Sequence, residues 1–161
     1  MKTFVTKSFK ETQQLGFDLA KKLRGRDVVC LHGDLGSGKT TFIQGFAKGL
    51  GITKKIISPT FIIMRQYVIP DLIRNPEILK QVQDDKRKGG NDKRNFFHVD
   101  LYRIESERDV EGLGLLEVMN DPDNIVVIEW PDKIEHLLPS KRIDIIFDYV
   151  DDDKRKIVFE Q

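Results

Sequence analysis

Hydrophobic positions along the chain alternate between two periods, and each switch marks an element. Thr3 to Thr6 reads as a short edge strand. Ser8-Phe9-Lys10-Glu11 fits a capping box, in which a hydroxyl and a carboxylate satisfy the first free N–H groups of a helix. Leu15, Leu19 and Leu23, with Phe17 and Ala20, then fall on one helical face, and Gly25 marks its end. Asp27-Val28-Val29-Cys30-Leu31-His32 is an almost unbroken apolar run, the signature of a strand buried on both faces. Phe42, Ile43, Phe46, Ala47 and Leu50 restore the helical period from Thr41 to Leu50, with Gly49 and Gly51 at its close.

The second half repeats the scheme. Ile62 to Val68, Phe96-Phe97-His98-Val99-Asp100 and Ile125-Val126-Val127-Ile128 read as strands. Glu105 to Met119 is expected to be helical with interruptions at Gly112 and Gly114, and Ile134 to Leu138 forms a short helix. Residues 142–150 and 156–159 flank a polar turn at Asp151-Asp152-Asp153, as in an antiparallel hairpin at a sheet edge. Strands alternating with helices predict a three-layer α/β/α fold with a mainly parallel central sheet and antiparallel edge strands. One stretch, about 70–95, breaks the pattern. It is dense in charge, and Ile73, Ile78, Leu79 and Val82 would support one short amphipathic helix in a segment otherwise expected to be solvated. Its basic residues could also touch RNA.

Chemistry enters between the first buried strand and the second helix. Gly33-Asp34-Leu35-Gly36-Ser37-Gly38-Lys39-Thr40 fits G-x-x-x-x-G-K-[ST], with a strand before it and a helix after it. Gly33, Gly36 and Gly38 permit positive φ, so successive N–H groups can turn inward as an anion nest at a helix N-terminus. In such a loop Lys39 reaches the terminal phosphates of a nucleoside triphosphate and the Thr40 hydroxyl holds Mg²⁺. For Thr41, contact with the α-phosphate and a plain first-turn role stand side by side.

Two later strands end in acids. Asp100 closes the strand 96–100, where P-loop proteins place a second Mg²⁺ anchor. Glu129 closes the strand 125–128 and suits either the orientation of an attacking water or a metal-bound water, against a solvated strand-end acid. Beside them stand Arg103, a bidentate partner for a carboxylate or phosphate or else a surface or structural salt bridge, and Trp130, a stacking or a packing residue. Ser58-Pro59-Thr60 is a turn whose hydroxyls could serve as a switch on a γ-phosphate. His32, His98 and His136 show no metal-ligand spacing and read as structural or surface residues, although His98 lies near Asp100.

Composition narrows the setting. The 161 residues include 33% charged and 39% hydrophobic side chains, which suits one soluble domain over 1–161. A net charge of +1 offers no general attraction to nucleic acid. The single cysteine, Cys30, sits in the central strand as a small buried hydrophobe. No run is long enough to span a bilayer and no signal-peptide core begins the chain, so a cytoplasmic protein is expected.

The ordered set 33–41, Ser58-Pro59-Thr60-Phe61, His98-Val99-Asp100-Leu101-Tyr102-Arg103 and Ile128-Glu129-Trp130-Pro131-Asp132 closely resembles the bacterial TsaE (YjeE) family. The resemblance implies a P-loop NTPase fold, ATP with Mg²⁺, and action with TsaD and TsaB in making threonylcarbamoyladenosine in tRNA. By matching position it implies that Lys39 and Thr40 hold phosphate and metal, Asp100 anchors Mg²⁺, Thr60 belongs to a switch, and Glu129 and Trp130 line the site. The departure is the charged stretch 68–95, where a shorter turn is expected. Two other readings of the loop remain at this point, a small-molecule or nucleoside kinase and a nonenzymatic nucleotide-dependent assembly switch. GTP is disfavoured, since the chain has no N-K-x-D segment.

Overall fold

The computed structural model describes residues 1–23, 25–59, 62–70 and 94–160. In chain order the elements are β1 (Lys2–Thr6), α1 (Phe9–Ala20), β2 (Asp27–His32), α2 (Lys39–Gly49), β3 (Met64–Val68), β4 (Asn95–Asp100), α3 (Leu115–Asn120), β5 (Asn124–Glu129), β6 (Ile143–Tyr149) and β7 (Arg155–Glu160). Short 3-10 turns run over Glu107–Asp109 and Pro131–Leu137. The strands form one seven-stranded sheet in the order β1-β7-β6-β2-β5-β4-β3. Its centre, β6-β2-β5-β4, is parallel, while β7, β1 and β3 join antiparallel at the two edges. The chain leaves β2, passes over to β4 and returns to place β5 between them. That reversal puts the C-terminal ends of β2, β4 and β5 side by side.

Period-two alternation sorts the strand residues onto two cores. Val29, Leu31, Phe96, Ile125, Val127, Ile145 and Phe147 face α1 and α2. Val28, Cys30, Phe97, Val99, Val126 and Ile128 face α3, the turn at Pro131–Leu137 and the segment after β4. Helix α1 starts where the sequence places it. The Ser8 hydroxyl accepts from Glu11 N–H at 3.3 Å, and the Glu11 carboxylate accepts from Lys7 N–H at 2.8 Å. Helix α2 lies so close to α1 that a side chain at Gly45 would overlap the carbonyl of Gln13, so the small residue is required there. Phe42 and Phe46 then fix α2 on the sheet. Phe42 meets Phe147 edge-to-face at 5.5 Å and Phe46 meets Phe96 at 5.6 Å. Truncating either to Ala would cost about 3–5 kcal/mol in a core this closed, and both are fully buried.

Three expectations change. The helix expected over 105–119 reduces to the turn at Glu107–Asp109 and to α3. Gly112 and Gly114 adopt φ of 83° and 67°, and left-handed residues cannot continue a right-handed helix. The helix expected at Ile134 to Leu138 is a 3-10 stretch starting at Pro131, kinked where Ile134 leaves helical geometry. The strand expected from Ile62 begins at Met64, because Ile62 and Ile63 donate to the Pro59 carbonyl in a turn. The helix suggested around Ile73 to Val82 lies outside the described residues. Its flanks are clear: β3 and β4 pair antiparallel up to Val68 with Asn95, and Ile69 N–H bonds the Arg94 carbonyl. A connection leaving from a closed hairpin end can lengthen at small entropic cost without disturbing the sheet.

Candidate active site

The central strands end on one row. Glu129 of β5 pairs with Leu31 of β2 on one side and with Asp100 of β4 on the other. Asp100 shares parity with Phe96, and Glu129 with Ile125 and Val127, so both acids emerge on the face covered by α2. The loop 33–38 rises from β2 on the same side. Gly33, Gly36 and Gly38 all take positive φ, and a side chain at Gly33 would overlap the Phe147 carbonyl. Gly38 caps α2 in the left-handed region with no side-chain cap, so the first N–H groups of the helix receive no hydroxyl or carboxylate from that position.

Between loop and strand ends lies a cleft of about 310 Å³ lined by Leu35, Gly36, Gly38, Lys39, Thr40, Thr41, Ser58, Asp100, Tyr102, Glu129 and Trp130. Two wider grooves lie elsewhere, beside α3 and beyond the end of α2. The narrower cleft is distinguished by chemistry rather than size. Lys39 is buried and its ammonium donates to the carbonyls of Gly33 at 2.6 Å and Asp34 at 2.8 Å. The same ammonium stands 4.4 Å from the Trp130 ring centre. Burial lowers the Lys39 pKa, while the nearby carboxylates of Glu129, Asp100 and Asp34 oppose that shift. Trp130 reaches Lys39 from a left-handed backbone, φ 61° and ψ 49°, a conformation that costs on the order of 1 kcal/mol in a non-glycine residue. Its ring also meets Tyr102 at 5.2 Å.

Donors to the two acids include a hydroxyl, a backbone amide and an imidazole. The Ser58 hydroxyl donates to Asp100 Oδ2, and Tyr102 N–H donates to Asp100 Oδ1 at 3.0 Å. Glu129 Oε1 lies 2.7 Å from His98 Nε2, and Glu129 Oε2 lies 3.5 Å from the Thr40 hydroxyl. Thr40, Asp100 and Glu129 are hard oxygen donors, the chemistry that suits Mg²⁺. No group of three or more His, Cys, Asp or Glu residues able to hold a metal occurs among the described residues. Such oxygen donors suit an ion that takes one or two carboxylates and completes its shell with phosphate and water.

Residues 6–157 match the model of a family described as Threonylcarbamoyl adenosine biosynthesis protein TsaE. The chain belongs to the TsaE family. It is 37% identical over 149 residues to the tRNA threonylcarbamoyladenosine biosynthesis protein TsaE of Bacillus subtilis, covering 92% of this chain and 78% of that protein. The protein of the same name from Rickettsia typhi is 34% identical, over 92% of this chain and 87% of the relative. The crystal structure of Bacillus subtilis YdiB superposes with a TM-score of 0.71 at 31% identity, covering 98% of this chain and 83% of that one.

In this TsaE-family chain the structure gathers Gly36, Gly38, Lys39, Thr40, Thr41, Asp100, Glu129 and Trp130 around one cleft, with Leu35 at its exposed tip. Gly33, Asp34 and Ser37 build the loop from behind, Asp34 through the carbonyl that accepts from Lys39 and from Ser37 N–H at 3.2 Å. Thr60 lies outside the described residues. Arg103 is exposed on the turn after Asp100 and is not among the cleft-lining residues. Sequence reasoning passed over Tyr102 as a site residue and gave His98 no role on Glu129. The parity of 98 with 100 on one strand was the available signal for the second.

Proposed function

We propose that this TsaE-family chain binds and hydrolyses ATP with Mg²⁺, as a single cytoplasmic domain over 1–161 that works with TsaD and TsaB in threonylcarbamoyladenosine biosynthesis on tRNA. The observation that carries the reading is the meeting of Lys39 and Thr40 with two strand-end acids, Asp100 and Glu129, in one cleft. A loop that only bound an anion would have no use for two carboxylates facing it. Within the proposal, the loop amides and Lys39 bind the phosphates, and burial strengthens each of those contacts by excluding water. Thr40 and Asp100 would hold the metal. Mg²⁺, when bound, supplies neutralising charge to the phosphate oxygens.

Glu129 would orient a water and accept its proton, with its Oε2 3.5 Å from the Thr40 hydroxyl. Trp130 and Tyr102 form an aromatic wall beside Lys39. One feature supports ATP hydrolysis over a kinase: a cleft of about 310 Å³ leaves little room for an acceptor beside the nucleotide. The experiment is hydrolysis of ATP by the purified chain, alone and with TsaD and TsaB, with Lys39→Ala as control. Phosphate release that needs Mg²⁺ and Lys39 is the expected result. A phosphorylated small molecule would replace this reading with a kinase, and tight binding without turnover in the full assembly would replace it with a switch.

A further inference from the structure

We propose that His98 is a positioning residue for Glu129: its Nε2–H holds one carboxylate oxygen so that the other faces the Thr40 hydroxyl and the cleft. The inference rests on the role given to Glu129 above. His98 and Asp100 leave β4 on the same face, and Glu129 leaves β5 on that face too. His98 pairs in register with Val127, so Glu129 is its diagonal neighbour two residues along, within reach of a long side chain. The distance from Nε2 to Glu129 Oε1 is 2.7 Å. An ionised carboxylate only accepts hydrogen bonds, so Nε2 is the nitrogen that carries hydrogen, whichever charge the ring bears.

Burial makes the assignment informative. His98 has no exposed surface, and its Nδ1 has no hydrogen-bond partner among the described residues. A residue needed only to fill this place between Phe96 and the cleft would be apolar, because an unpartnered ring nitrogen is costly to bury. The polar function of the ring is therefore its contact with Glu129. Among the described residues that contact is also the shorter of the two that fix the acid, against 3.5 Å to Thr40. Without it the longer contact remains, and the side chain regains rotamers that point Oε2 elsewhere.

The test uses the full chain in four forms: wild type, H98F, H98Q and E129A. Phe keeps the ring and removes the donor, whereas the Gln amide nitrogen can occupy the place of Nε2. Long-range nitrogen–proton NMR of the three histidines is assigned by the His98 substitutions. It is expected to show hydrogen on His98 Nε2 and a shift of that resonance in E129A. A bare Nε2, or a resonance indifferent to Glu129, overturns the contact irrespective of any hydrolysis. In single-turnover hydrolysis at saturating ATP, H98F is expected to slow by about ten- to a hundredfold. ATP affinity stays within about twofold, because the loss falls on kcat. H98Q is expected to restore most of the rate. Wild-type speed in H98F, or equal losses in H98F and H98Q, overturns the positioning role alone. Full speed in E129A overturns the role of Glu129 and this inference with it, which separates the two failures.

Discussion

Around the C-terminal ends of β2 and β5, the two faces of the sheet carry clusters of charge that are resolved in different ways. Behind the sheet, His32 lies between Asp132 at 3.1 Å and Asp144 at 3.0 Å, one on each ring nitrogen. Arg142 takes both oxygens of Asp144, at 3.0 and 2.9 Å, and reaches Glu135 at 2.7 Å. Bonding to Asp144 raises the Arg142 pKa. Around Arg142, charge meets opposite charge. In front, Lys39 is turned toward carbonyls and an indole ring, and hydroxyl, amide and imidazole groups hold Asp100 and Glu129. Paired ions of the first kind hold segments together and offer little to a ligand. A buried ammonium held by carbonyls and an indole ring keeps much of its field for whatever enters the cleft.

Breaking the front should therefore remove function, and breaking the back should remove stability. The largest effect is expected at Lys39. Each charge-assisted bond to phosphate is worth about 1.5–3 kcal/mol, so Lys39→Ala should weaken ATP binding by about a hundredfold or more. Calorimetry decides it, and unchanged affinity would leave the loop without a ligand. Glu129→Ala should keep that affinity while turnover drops by about a hundredfold, the lower end of what a general base contributes. Asp100→Ala should leave hydrolysis that no longer responds to added Mg²⁺; a titration of rate against metal with the wild-type midpoint would move the anchor to another residue. On the back, Asp144→Asn should cost about 1–2 kcal/mol of stability in urea, from weakened bonds to Arg142 and His32. Its hydrolysis should match the wild type. A turnover defect without a stability defect would erase the distinction between the faces.

The front was far more legible from sequence than the back, for a physical reason. The loop 33–38 is local: the spacing of Gly33, Gly36 and Gly38 before Lys39 sets backbone angles within a few residues. Asp100 and Glu129 were readable because each closes an apolar run, and runs of that kind end where parallel strands leave the core. The insertion of β5 between β2 and β4 was not readable, and the bond from His98 to Glu129 depends on it. The back cluster draws on β2, β6 and the turn at Pro131–Leu137, so no single stretch announces it. Local rules also failed where glycine outweighed apolar spacing, as at Gly112 and Gly114.

The smallest expected effect sits beneath the back cluster. Cys30 is fully buried, pairs in register with Asp144, and has its pKa pushed up to about 12, first by burial and then by the Asp144 charge. A thiol held in its protonated form reacts slowly, and access requires local opening of a central strand. Iodoacetamide should therefore label the native chain at least about a hundredfold more slowly than the urea-unfolded chain. The same shift has a sign in stability. Because the folded pKa exceeds the ordinary value of 9.0, the contribution of this thiol is complete below pH 9.0 and fades as pH rises toward about 12. Cys30→Ala lacks the group. Its stability in urea should start lower, from the lost packing, and then fall less steeply than the wild type above pH 9.0. Parallel curves for the two proteins would show that the Cys30 thiol does not set the alkaline limit of the fold.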